Sequence, residues 1–87
     1  MDGNLIPLKV DLHGRHPGDI PDVVDYWIDH AIKTNHSTIH LIHGRGTGAL
    51  KDAVRRHLTN HEFVDSFGDG GVLTGSGGVT IATLRYK

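Results

Sequence analysis

The sequence predicts a two-layer α/β sandwich, β-α-β-α-β-β in chain order, with a four-stranded mixed sheet and two helices packed on one of its faces. Three features predict it. Short apolar segments with the period of a strand alternate with longer ones that have the period of a helix. Glycines follow each of the first two strand-like segments, and the last two strand-like segments have no helix pattern between them. A strand–helix–strand unit lays its helix back onto the sheet with one hand, so two such units followed by a hairpin leave both helices on the same face.

The first strand is read from Leu8, Val10 and Leu12, which alternate with Lys9 and Asp11 before Gly14 ends the run. Pro17 and Gly18 mark a loop, and Asp19 is placed to cap the first helix, whose first turn tolerates Pro21. Ile20, Val23, Val24, Trp27, Ile28, Ala31 and Ile32 then recur at intervals of three and four, with aspartates on the other face, until Asn35 stops the helix. Residues 37–43 form the second strand, with Ile39 and Leu41 on one face and Ile42 on the other. After the stretch His43-Gly44-Arg45-Gly46-Thr47-Gly48, Thr47 is expected to cap a second helix with Leu50, Ala53, Val54 and Leu58 as its buried stripe. Residues 63–67 give a third strand, residues 68–78 a glycine-dense connection, and residues 79–84 a β-branched fourth strand.

Eighty-seven residues are expected to make one domain spanning 1–87, with its core in about 8–86. A hydrophobic fraction of 37% supports a core, while no apolar run approaches the roughly 20 residues of a membrane span. No basic stretch followed by an apolar one opens the chain, and cysteine is absent, which excludes disulfides and cysteine-based zinc sites. These features predict a soluble, cytoplasmic protein with no membrane partner. The net charge of −1 does not mark a uniformly basic nucleic-acid binder. Arg45, Lys51, Arg55 and Arg56 nevertheless cluster after the glycine stretch, opposed there by Asp52 alone, as a positive patch or as an ordinary solvated helix face.

The glycine stretch is not a Walker A loop, which needs G-x-x-x-x-G-K followed by a hydroxyl residue. Gly44, Gly46 and Ala49 satisfy a relaxed dinucleotide fingerprint, but the chain has room for one such unit and ends in a hairpin instead of a second mononucleotide half. What remains is a glycine-rich turn before a helix, which either serves structure or binds an anion through backbone N–H groups at the helix start, with Arg45 adding charge. Asp11-Leu12-His13 shifts that balance. One residue apart on a strand, a carboxylate and an imidazole share one face at its end, beside the glycine turn, and an apolar strand needs neither. Histidine is the usual proton-transfer group near neutral pH, and Asp11 can orient it or hold a divalent ion such as Mg or Mn. His57 and His61 have a spacing that can place two metal ligands on one face, but with no third ligand nearby in sequence they read as cations at a helix end. His30, His36 and His40 read as surface residues.

With these residues in place the chain resembles an Smr (small MutS-related) domain, most closely those at the carboxyl end of the second bacterial MutS paralogue. The family's L-D-L-H-G motif stands here as Val10 to Gly14, its H-G-x-G-T-G as His43 to Gly48, and its late G-x-G-V-T segment within Gly75 to Thr80. The resemblance implies nucleic-acid binding and endonuclease activity, on DNA in recombination suppression or repair, or on RNA, including messages on stalled ribosomes. It also implies that the chain is a piece of a longer MutS-like protein. On this reading Asp11 and His13 are the chemical pair, and His43 either assists proton transfer or fixes the loop. Arg15, Lys51 and Arg55 join Arg45 in tracking the phosphate backbone, while Gly44, Gly46, Thr47 and Gly48 shape the phosphate cradle. A non-catalytic module that docks DNA, RNA, the ribosome or a protein is the competing reading.

Overall fold

The structure, a computed structural model, describes residues 6–44, 48–70 and 78–86. Its elements are β1 (Leu8–Asp11), α1 (Ile20–Lys33), β2 (Thr38–Ile42), α2 (Ala49–Leu58), β3 (Val64–Asp69) and β4 (Val79–Leu84), with a 3₁₀ turn at Pro17–Asp19 leading into α1. The sheet order is β1-β2-β4-β3. β1 runs parallel to β2, with Asp11 opposite Ile42, and β4 is antiparallel to both β2 and β3, which gives the expected mixed sheet.

Alternation in β1 buries Val10 and exposes Lys9 and Asp11, and the ladder continues one residue further through Leu12 N–H to the Ile42 carbonyl, 2.7 Å. Ile20, Val24, Ile28 and Ala31 of α1 and Val54 and Leu58 of α2 are buried in one cluster with Val10, Leu12, Ile39, Leu41, Val64, Ala82 and Leu84 of the sheet. Both helices therefore cover the same face. Burial of that stripe at about 25 cal/mol per Å² of apolar surface is the main force holding the layers together.

Three local expectations are corrected. Asp19 makes no side-chain cap, because its backbone is already helical (φ −90°, ψ −7°), whereas capping requires the extended conformation. His16 is extended instead and its Nδ1 accepts the Gly18 N–H at 2.9 Å. The residue before α2 is Gly48, at φ +88°, where a side chain would be strained; Thr47 lies outside the described residues. The third strand begins at Val64 and runs to Asp69, with a register irregularity between Val64 and Ser66. A bulge of this kind breaks the two-residue period that placed the strand at 63–67.

Asn35 does end α1. At φ +61° its N–H reaches the Ile32 carbonyl, while His36 N–H reaches Ala31, the pairing of a Schellman cap. The end of α2 is built differently. Thr59 is extended (φ −62°, ψ 123°), Asn60 has φ +71°, and His61 N–H returns to the Leu58 carbonyl, a type II turn. Among the described residues, no helix is long and apolar enough to cross a membrane.

Candidate functional site

The parallel pairing of β1 and β2 brings their carboxyl ends side by side. There the two histidine–glycine corners meet: a Cβ built on Gly44 would stand 4.0 Å from that of His13. Space is therefore available at Gly44, and what requires glycine is its φ of +78°. His13, Gly14, Arg15, His43, Gly44 and the start of α2 (Gly48 to Lys51) line one pocket of about 410 Å³.

At its edge His13 forms a closed pair with Asp11. Asp11 Oδ1 accepts both the His13 backbone N–H at 3.1 Å and the Nδ1 of its ring at 2.7 Å. The ring bond and the backbone bond together hold the Asp11 carboxyl below the usual carboxylate range. An ionised carboxylate only accepts, so the proton sits on Nδ1 and the Nε2 of a neutral ring is left with a lone pair. Both side chains are largely exposed, 74% for His13 and 57% for Asp11.

His43 is different. It is buried, its Nδ1 lies 3.0 Å from the Gly44 carbonyl and its Nε2 2.8 Å from the Thr80 hydroxyl. The carbonyl can only accept, so Nδ1 donates and a neutral ring's Nε2 accepts the hydroxyl proton. Both ring nitrogens are thus occupied by partners within the fold. The His43 and Gly44 N–H groups both donate to the Gly78 carbonyl at 3.0 Å, so Gly44 turns its own donor inward, away from the expected role in a phosphate cradle.

The basic residues divide. Arg15 and Lys51 line the pocket, whereas Arg55 extends to Asp69 at 2.8 Å and lies over the Phe67 ring, 5.3 Å from its centre. Lys51 also reaches Asp69, at 3.3 Å. The basic cluster is thus opposed by Asp69 at the end of β3 as well as by Asp52. Arg45, Gly46 and Thr47 lie outside the described residues.

The sequence places Gly78 and Thr80 in the late motif without a role and assigns no role to Asp69 or Asp25. Thr80 had a partial signal, one of two hydroxyls with Thr83 on a β4 that is apolar elsewhere, where burial demands a partner. Asp25 had none in any local window: Nε2 of His57 at 2.7 Å and Nε2 of His61 at 2.9 Å both meet its Oδ1 from 32 and 36 residues away. His61 also stands beyond the end of α2, not on its face. Of the histidines assigned to the surface, His40 is half-buried on β2, and burial followed by the nearby Lys9 charge lowers its pKa.

The Smr domain family matches residues 10–85 of the chain. The chain belongs to the Smr domain family. It is 38% identical over 82 residues to "Endonuclease MutS2" of Staphylococcus carnosus, covering 94% of this chain, and 39% identical over 80 residues to "Endonuclease MutS2" of Staphylococcus aureus, covering 92%. The chain spans 10–11% of the length of those relatives. Among solved structures, the Smr domain of Thermus thermophilus MutS2 superposes with a TM-score of 0.87 at 38% identity, covering 91% of this chain and 99% of that one. YdaL, a stand-alone small MutS-related protein from Escherichia coli, shares the fold at 20% identity, with a TM-score of 0.81 over 90% of this chain and 64% of its own. These Smr relatives agree with the four-stranded mixed sheet and two helices observed here.

Proposed function

We propose that this Smr domain binds a polynucleotide backbone and cleaves a phosphodiester bond at the pocket between the two histidine–glycine corners. The observation that carries the reading is the Asp11–His13 pair, with its ring tautomer fixed at 2.7 Å, beside a helix start and two cations. A phosphate in that pocket meets the positive end of the α2 dipole and the charges of Arg15 and Lys51, none of which reads base identity. His13 Nε2 takes the proton of the attacking hydroxyl as its oxygen bonds to phosphorus, and the bond to the leaving oxygen breaks in line, that oxygen keeping the electron pair and taking a proton from solvent on the opposite side. Asp11 stabilises the imidazolium that results. His43, locked by Thr80 and the Gly44 carbonyl, positions the glycine turn. Being named endonucleases, the MutS2 relatives support this reading, and a piece of such a chain would have the remainder of it as a partner.

Among the described residues the carboxylate beside the pocket is that of Asp11, whose Oδ1 is already taken up by His13. A hard cation such as Mg²⁺ held there would take its remaining oxygen ligands from water and the substrate phosphate.

Matched DNA and RNA substrates, with and without chelator, test the proposal. Cleavage falls about 10²- to 10⁴-fold in His13→Ala and substantially in Asp11→Ala. Full activity in both variants overturns the chemistry, and salt-sensitive binding without product in the parent leaves a docking module in its place. A 2′,3′-cyclic phosphate end identifies a ribose hydroxyl as the nucleophile.

A further inference from the structure

We propose that Asp25, His57 and His61 form a binding site for a divalent transition-metal ion of the zinc class. The site is separate from the pocket at the sheet edge and independent of the nuclease reading. His57 stands in the last turn of α2, the type II turn over residues 58–61 folds His61 back beside it, and Asp25 meets both from the middle of α1. One donor atom from each of the three lies within 4.8 Å of the others. The two rings are steeply inclined, 80° with centres 5.4 Å apart, and both Nε2 atoms converge on the same carboxylate oxygen at 2.7 and 2.9 Å.

That geometry is close to what a metal needs. Zinc with bonds of about 2.0–2.2 Å in a tetrahedral arrangement holds its ligand atoms roughly 3.3 Å apart. The carboxylate oxygen therefore has to withdraw by about half an ångström to admit the ion between itself and the two nitrogens. Both imidazoles are largely covered, 23% and 13% exposed, so their rotamers are already restricted. Two imidazoles with one carboxylate suit zinc, cobalt, nickel or copper better than magnesium or calcium, which prefer oxygen. All three residues line one pocket of about 610 Å³, together with Glu62, Arg56 and an Asp29 that is paired with Lys33.

The hydrogen bonding makes occupation detectable. His61 Nδ1 accepts the Phe63 N–H at 3.1 Å, which places the ring proton on Nε2, facing Asp25. A metal on Nε2 moves that proton to Nδ1, where it opposes the Phe63 N–H, and that hydrogen bond breaks. The Phe63 amide resonance is thus a marker for an ion at this place and not elsewhere.

The test is titration of the chain with Zn²⁺ by calorimetry and amide NMR, and with Co²⁺ by visible absorption. One equivalent is expected to bind, to raise the melting temperature and to shift the Phe63 amide, with a four- or five-coordinate Co²⁺ spectrum. Asp25→Asn, His57→Gln and His61→Gln each weaken binding at least about tenfold, and His13→Gln leaves it unchanged. The assignment is overturned if the parent shows no saturable binding, if the Phe63 amide does not respond, or if His13→Gln removes binding while the other three retain it. The Phe63 response is read on the parent chain, so a substitution that unfolds does not shield the proposal.

Discussion

Among the described residues two carboxylate–imidazole contacts are 2.7 Å long, and they differ in sequence separation and in the burial of the imidazole. Asp11 ends β1 and His13 follows in the adjoining turn with one residue between them, both largely exposed, while Asp25 and His57 join α1 to α2 across 32 residues with the imidazole mostly covered. An exposed ion pair contributes little to folding, so the first contact holds a ring tautomer more than it holds the fold. The second ties two helices, and with His61 it has three donors converging on one point.

Paired substitutions at the two sites give the strongest test of this contrast. His13→Ala is expected to abolish most cleavage, as above, while changing stability by less than about 0.5 kcal/mol, the usual range for an exposed site. His57→Ala is expected to do the reverse: cleavage within about twofold of the parent, and about 1 kcal/mol of stability lost with the interhelical hydrogen bond. Urea melts and initial cleavage rates on the same preparations check both. If His13→Ala destabilises as much as His57→Ala, the division of labour between the two contacts fails.

The buried arm of the sheet-edge site sharpens the comparison. Thr80→Val keeps the shape but leaves His43 Nε2 without its hydroxyl in the interior, a loss of about 1–3 kcal/mol. Thr80→Ser restores the donor and is expected to recover most of it. On the proposed role of His43 in positioning the glycine turn, the valine variant should also lose cleavage at temperatures where it remains folded. Unchanged cleavage there would detach His43 from the site.

How much of this was legible in the sequence follows the same division. The α1 stripe from Ile20 to Ala31, the strand alternation of Leu8 to Leu12 and the adjacency of the two histidine–glycine corners all rest on local periodicity and the pairing of parallel strands, and the structure bears them out. The third strand slipped by a residue because a bulge beside Asp65 interrupts the alternation. Asp19 looked like a cap because residue type was visible and its helical backbone was not. The pairing of Arg55 with Asp69, 14 residues on, was not legible because the two become neighbours only when β3 folds against α2. Asp25 joined His57 and His61 for the same reason: helix packing set that contact, with no periodic signal linking them.

Asp69 offers the smallest expected effect and bears on how the positive face is tuned. Lys51 first, and then Arg55, hold its carboxyl below the usual range. A depressed carboxylate pKa means that the pairing contributes to folding above the unfolded value, near pH 4, and that this contribution is lost as pH falls through the lower folded value. The carboxylate is solvent-accessible, so the gap in melting temperature between the parent and Asp69→Asn should be small at pH 7 and should close towards pH 3. At neutral pH the same substitution releases Lys51 and Arg55 from their pairing partner. Polynucleotide affinity should then rise, and the slope of log K against log salt should steepen by about one for each cation that gains a phosphate contact. A slope that stays the same would mean that Arg55, over the Phe67 ring, belongs to the fold and not to the binding face.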